Sequence, residues 1–347
     1  MKDNPTPTIL AALLFFVLVI RGTTNPQAAR AWFVVFFEIG VFLSLAAVIW
    51  NYDKWVASFL ILVTVSPFVV SFDSNSYLAA RNVFIGCLWY LFVVMFFNVQ
   101  NLNMLYRVMR LCAYFHTFVA FMQFIGLAGV FSYSQITGLM DSKIFLSALL
   151  CFCLPTFLAL KGKRVWLILI PIAGILMAKQ FLGIVTVGVG VIFYLAVARR
   201  MYWPIMAIIP AVIAWAYLVD SPGVTHRIFV WKAAIKMWWH RPLFGFGIGH
   251  WKTVFKIRMG IDGNRWWTTH NEFLQMLFEL GIGSAIIFIG YFISVIRRFT
   301  RAAIIPLTAL IMIVVQASAT FTMHIAPTAA LTVTWLAVLT ILLKEKT

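Results

Sequence analysis

Apolar runs recur along the chain at near-regular intervals, separated by short polar connections. At about 1.5 Å of rise per residue, roughly 20 apolar residues cover a hydrocarbon layer about 30 Å thick, and most of these runs approach that length. The pattern predicts helices over 8–21, 31–50, 55–72, 82–99, 104–126, 143–160, 164–179, 181–198, 202–219, 270–296, 302–321 and 325–343. That is an all-α, polytopic membrane protein of about twelve transmembrane helices, read as one integral domain over 1–347. One longer polar segment, 220–269, interrupts the alternation. The run from Ile9 to Ile20 has only Lys2 ahead of it, offset by Asp3, and is expected to be a retained helix instead of a cleaved leader.

Composition removes the alternative of a soluble globule. With 63% hydrophobic and 11% charged residues the chain has too little polar surface to face water all round, so lipid must serve as its solvent. The four cysteines, Cys87, Cys112, Cys151 and Cys153, fall inside predicted spans. Cys151 and Cys153 lie two apart and point to different sides of a helix, so the cysteines read as small core residues, neither disulfides nor metal ligands.

Charge then orients the chain. Cytoplasmic N- and C-termini place Lys54, Arg107, Arg110, Lys161, Lys163, Arg164, Arg199, Arg200, Arg297, Arg298 and Arg301 in short inner connections, as the positive-inside rule asks. The net charge of +17 is only half explained this way. On the opposite, periplasmic side the 220–269 loop holds eight basic residues, Arg227, Lys232, Lys236, Arg241, Lys252, Lys256, Arg258 and Arg265, against Asp220 and Asp262. A cationic surface beside a bilayer suits a phosphate or diphosphate head group, and membrane lipid is the expected partner, with no nucleic acid.

Within that loop, Arg227 to His240 predicts an amphipathic interfacial helix. Ile228, Trp231, Ile235, Trp238 and Trp239 share one face, with Lys232 and Lys236 at its edge. Pro242 to Gly249 is glycine-rich, but no βαβ unit surrounds it and Trp251 precedes Lys252-Thr253, so neither nucleotide fingerprint is met. It reads as a turn that lets backbone approach a helix or a ligand.

His270 stands where the chain re-enters the membrane, and a neutral imidazole there can take a proton from an acceptor hydroxyl. Glu272, Gln275 and Glu279 follow at i, i+3 and i+7 and form one polar stripe. For Glu279 a buried structural role stands beside a site role. Arg81 opens the fourth span and either snorkels to water or meets a ligand. Lys179 sits in a tight hairpin with no polar spacer, where a residue buried among helices would contact an anion.

Three segments together, Arg227 to Trp231, His240 to Gly249 and His270 to Gly283, resemble the signature of the O-antigen ligase and O-antigen polymerase superfamily. In that pattern an Arg and a Trp open a periplasmic helix, a Pro-Leu-Gly-x-Gly turn follows, and His-Asn begins the next helix ahead of Leu, Glu and Gly-x-x-Gly. The chain departs from it at Asp141 to Lys143, where the family has Asn-Pro-Asn, and at Lys179-Gln180-Phe181, where it often has Ser-Arg-Gly.

The resemblance implies a fold like the C-type glycosyltransferases and an inverting transfer that needs no metal and no cofactor. The donor it implies is a glycan on undecaprenyl diphosphate. The acceptor is lipid A core, another lipid-linked glycan or protein, and the motif does not choose among them. By match, His270 would activate the acceptor hydroxyl and Arg227 would bind the diphosphate, with Lys179 and Arg81 assisting. Asn271 and Glu272 would orient His270 or meet sugar hydroxyls, and Gln275 and Glu279 continue that wall. The implied setting is a bacterial inner membrane with a periplasmic active site and a role in lipopolysaccharide or surface polysaccharide biosynthesis. The residues agree in that no Asp-x-Asp pair for a metal-bound sugar nucleotide occurs on the outer face. A lipid-linked glycan flippase or polysaccharide exporter is the alternative. It predicts internal repeats and broken helices, neither of which is visible in the sequence.

Overall fold

The computed structural model describes residues 40–70, 74–127, 136–140, 142–201, 222–259 and 268–344. The predicted spans 8–21 and 202–219, the start of 31–50, both chain termini, and Arg21, Arg30, Asp73, Asp141, Asp220, Asp262 and Arg265 lie outside them.

The described residues form helices and no strand. In chain order they are α1 (Gly40–Trp50), α2 (Lys54–Val70), α3 (Ser74–Phe96), α4 (Leu102–Phe124), α5 (Lys143–Cys153), α6 (Pro155–Leu158), α7 (Leu169–Met177) and α8 (Phe181–Arg199). After the 202–221 gap come α9 (Pro222–Trp238), α10 (Trp251–Met259), α11 (Glu272–Leu280), α12 (Ile282–Arg297), α13 (Ile304–Ala317) and α14 (Ala326–Lys344). Three of them carry stretches long and apolar enough to cross a membrane: Leu78–Phe96, Phe181–Ala198 and Ala326–Lys344. Shorter apolar helices include Gly40–Trp50, Lys143–Leu158, Ile282–Arg297 and Arg301–Ala317.

The apolar residues divide between an outer and an inner face. Along α4, Met104, Val108, Leu111, Phe115 and Phe118 alternate by three and four and are all exposed, while Leu105, Met109, Ala113 and Ala120 are buried. An exposed stripe of that kind is at home against lipid. The centre is α5, where every residue from Phe145 to Cys153 is buried, wrapped by α4, α7, α13 and α14. Close approach there depends on small residues: a Cβ on Gly183 of α8 would overlap the Ser147 hydroxyl of α5. Polar side chains tie helices together, with Trp89 Nε1 donating to Thr334 Oγ1 at 2.8 Å and Trp335 Nε1 to the Phe152 carbonyl at 2.8 Å. All four cysteines are free thiols.

Two spans and one side chain differ from the sequence expectation, each for a local reason. The 143–160 span is divided at Leu154, because Pro155 has no N–H to continue the ladder. Arg110, expected to be an exposed topological anchor, is buried and donates from Nη1 to the Thr156 carbonyl at 2.8 Å. The 270–296 span is two helices, α11 and α12, hinged at Gly281, whose φ of 70° only glycine adopts readily. The chain does contain a broken helix, so its supposed absence no longer counts against a carrier.

Candidate functional site

The Gly281 hinge is a docking seat. Phe246 N–H donates to the Phe278 carbonyl at 2.9 Å, Gly247 N–H to the Glu279 carbonyl at 2.9 Å, and Ile282 N–H to the Pro242 carbonyl at 2.8 Å. The turn from Pro242 to Gly249 thus lies backbone to backbone against the end of α11 and satisfies the groups that the break sets free. Gly245, at φ 66°, has the Phe278 carbonyl oxygen only 2.5 Å from where a Cβ would stand. A Cβ on Gly281 would overlap the Leu243 carbonyl. These glycines serve a helix end.

The stripe on α11 points into the same seat and is buried throughout. Glu279 accepts from Gly249 N–H at 2.9 Å and Trp251 N–H at 3.3 Å, and Gln275 Nε2 donates to its Oε1 at 3.2 Å. Glu272 accepts from Met323 N–H at 2.7 Å and pairs with His324 Nδ1 at 3.1 Å. Gln275 Nε2 also lies 3.1 Å from His324 Nε2. The Thr322–His324 turn between α13 and α14 is therefore latched onto α11.

His324 stands in none of the motifs read from the sequence. Its only signal there is topological: with alternating spans, the connection two helices after His270 returns to the same side. Burial alone would push the imidazole toward neutrality. The Glu272 hydrogen bond and charge, followed by the charge of Glu279, outweigh that and hold its pKa above the ordinary value.

His270 sits on the turn just before α11 with φ at 54°, a left-handed conformation costly for a residue with a Cβ. The turn is braced on both sides. Asn271 caps α11 through Oδ1, accepting from Leu274 N–H at 3.1 Å, and Thr269 Oγ1 donates to the Asn271 carbonyl at 2.6 Å. Gln275 Oε1 accepts from Thr269 N–H at 3.2 Å, so the buried stripe also fixes the turn. Phe321 meets the imidazole edge-on, ring centroids 5.0 Å apart. Burial, and after it the charge of Arg227, push the His270 pKa down to about 4. The ring is neutral at physiological pH and able to accept a proton.

Arg227 lies on α9, which packs chiefly on α11, and its charge is felt at His270. Trp231, one turn further along, donates from Nε1 to the Thr269 carbonyl at 3.0 Å. The face expected at the interface is largely turned away from the neighbouring helices. Val230, Ala233, Ala234 and Met237 are its buried side, whereas Ile228, Ile235 and Trp239 are exposed. Small residues allow the close α9–α11 contact, and the larger apolar ones suit the membrane interface. The helix also starts at Pro222, ahead of Arg227, so Arg227 sits within it and is half-buried.

The structure gathers Arg227, His270, Asn271, Glu272, Gln275 and Glu279 on two packed helices. It does not gather the other two expected cations. Lys179 is exposed, at φ 50° in the turn between α7 and α8, not buried among helices as expected. Those helices pack mainly on α4, α5 and α13. The backbone must turn within three residues there, which swings the Lys179 side chain outward. Arg81 is exposed on α3. No hydrogen bond or ion pair among the described residues connects either to His270 or Arg227. Compared by sequence, the chain matches no family model and no curated protein.

Proposed function

We propose that the protein transfers a glycan from a diphosphate-linked membrane lipid to a hydroxyl acceptor, with inversion and without a metal. The observation that carries this is the neutral, half-buried His270 held in a strained turn beside the Arg227 charge. A general base needs a fixed direction, and the braced turn supplies it. A leaving diphosphate needs a fixed cation, and Arg227 supplies that.

In the proposed step the acceptor oxygen gives its proton to His270 and attacks the anomeric carbon from the side opposite the diphosphate. The bond from that carbon to the diphosphate oxygen breaks, its electron pair leaves with the diphosphate, and Arg227 holds the growing charge. The proton passes from His270 to water. Glu272, Gln275, Glu279 and His324 act through the turn as positioning residues. Lys179 and Arg81 are left out of this reading.

The resemblance to the O-antigen ligase and polymerase signature supports the same chemistry and extends it. It adds about twelve crossings, a C-type glycosyltransferase-like fold, a bacterial inner membrane, a periplasmic site and undecaprenyl diphosphate as carrier. The hinge at Gly281, like the break at Leu154, would suit a flippase, since carriers use broken helices to line a path. At the hinge the freed backbone groups are paired with the Pro242–Gly249 turn, which favours a sealed scaffold.

The test uses purified protein in vesicles supplied with an undecaprenyl-diphosphate-linked glycan, and with lipid A core or a second lipid-linked glycan as acceptor. Wild type is expected to extend one acceptor, and His270→Asn neither. Movement of the donor across the bilayer with no transfer by either protein would replace this reading with the flippase.

A further inference from the structure

Two guanidinium groups converge on one ring at the outer side of the docking turn. Arg241, just past the end of α9, has its Cζ 5.3 Å from the centroid of Phe246, and Arg258, in the last turn of α10, has its Cζ 4.9 Å from the same centroid. Phe246 is buried and stacks on Phe278 with centroids 4.7 Å apart and planes 13° from parallel. With that face covered, both arginines share the remaining side of the ring. Each gains cation–π attraction there, but two like charges are brought close together.

No carboxylate among the described residues relieves them. Among the described residues the acids are Asp53, Glu272 and Glu279, and all three are engaged elsewhere, by the start of α2, by His324 and by the Gly249 and Trp251 amides. Both arginines are exposed, and so are the apolar side chains beside them: Leu243 is 66% exposed, Phe244 54%, and Ile257, next to Arg258, 75%. Exposed Leu, Phe and Ile around a paired cation are a poor surface for water and a good one for the edge of a bilayer.

We propose that Arg241 and Arg258, seated on Phe246, bind the phosphate of an anionic membrane lipid whose acyl chains lie against Leu243, Phe244 and Ile257. Each guanidinium fork donates two parallel N–H bonds to phosphate oxygens, a planar match that a lysine does not offer, and the buried ring fixes the spacing between the forks. The lipid would anchor the Pro242–Gly249 turn at the interface. The site is separate from Arg227 and His270 and does not depend on the glycan-transfer reading.

The test is binding by the full chain in a neutral detergent, followed by native mass spectrometry and by the shift in Tm, with phosphatidylglycerol, phosphatidylcholine and inorganic phosphate as probes. Wild type is expected to retain phosphatidylglycerol over phosphatidylcholine. The double variant Arg241→Gln with Arg258→Gln should weaken that binding at least tenfold, and each single variant at least threefold. The single variants decide the matter if the double one does not fold. Unchanged binding in folded variants overturns the site. A full Tm shift with inorganic phosphate alone overturns the lipid as its source.

Discussion

Asp53 and Glu272 are buried to nearly the same degree, 7% and 3% exposed, yet the networks around them differ in kind. Asp53 caps α2 by accepting from Trp55 N–H at 2.9 Å and Val56 N–H at 3.2 Å, and a relay from Tyr90 through Thr340 ends on its other oxygen. Every group in that relay belongs to the start or body of a helix, with no strained backbone and no titratable base. Glu272 instead holds a histidine whose side chain is 39% exposed, and its stripe braces a turn at positive φ. A buried carboxylate that only joins helices is a fastener. One that holds a half-open histidine, on a stripe whose Gln275 braces a strained turn, is the kind of network a site uses.

The sharpest way to break that contrast is His270→Asn. Asparagine tolerates the left-handed backbone, so the fold should survive while the base is lost. Transfer is expected to fall about 10²–10⁴-fold with Tm nearly unchanged. Transfer rates near wild type in this variant would make the outer network a fastener too. Next in size is Gly281→Ala, whose Cβ meets the Leu243 carbonyl and whose φ an L-residue resists. A loss of about 2–4 kcal/mol in stability is expected from strain and overlap together, read by denaturant unfolding in detergent. Asp53→Ala should cost less, about 0.5–2 kcal/mol, through the lost cap, since Thr340 Oγ1 keeps the Leu336 carbonyl and Tyr90 keeps Thr340. Its specific activity per folded molecule should stay at the wild-type value.

Sequence periodicity reveals most of the described helices, because a run of apolar residues has only one way to satisfy its backbone in lipid. It does not reveal which side of α9 packs. Ile228, Ile235 and Trp239 stand outward as an interfacial face would, and only the partner helix shows that Val230, Ala233, Ala234 and Met237 are the buried side. The hinge at Gly281 is hidden for a related reason, since its cause lies in the Leu243 backbone some forty positions earlier. His270, Arg227 and the acidic stripe are legible because charge is costly at a membrane boundary. Lys179 misleads by the same logic, for a one-turn hairpin can swing a lysine out to water.

The smallest effect is the most specific to the site. Burial, with Arg227 second, lowers the His270 pKa to about 4, so its neutral form persists through mildly acidic pH. The profile of kcat/KM against pH, which reports the free enzyme, should therefore stay flat well below the pH at which an ordinary histidine would protonate. Arg227→Gln removes the second cause and leaves the larger one. The acid limb should move upward by less than one pH unit, since burial persists, alongside the separate loss of rate from weaker diphosphate binding. Stability follows the same sign. A histidine with a depressed folded pKa adds stability above its unfolded pKa of about 6.5, and loses it as pH falls toward the folded value. The outer network should thus soften in mild acid, and Arg227→Gln should soften it less. An acid limb that stays in place in Arg227→Gln would mean that the Arg227 charge does not reach the imidazole. The two ends of the proposed site would then be independent, as the parts of a fastener are.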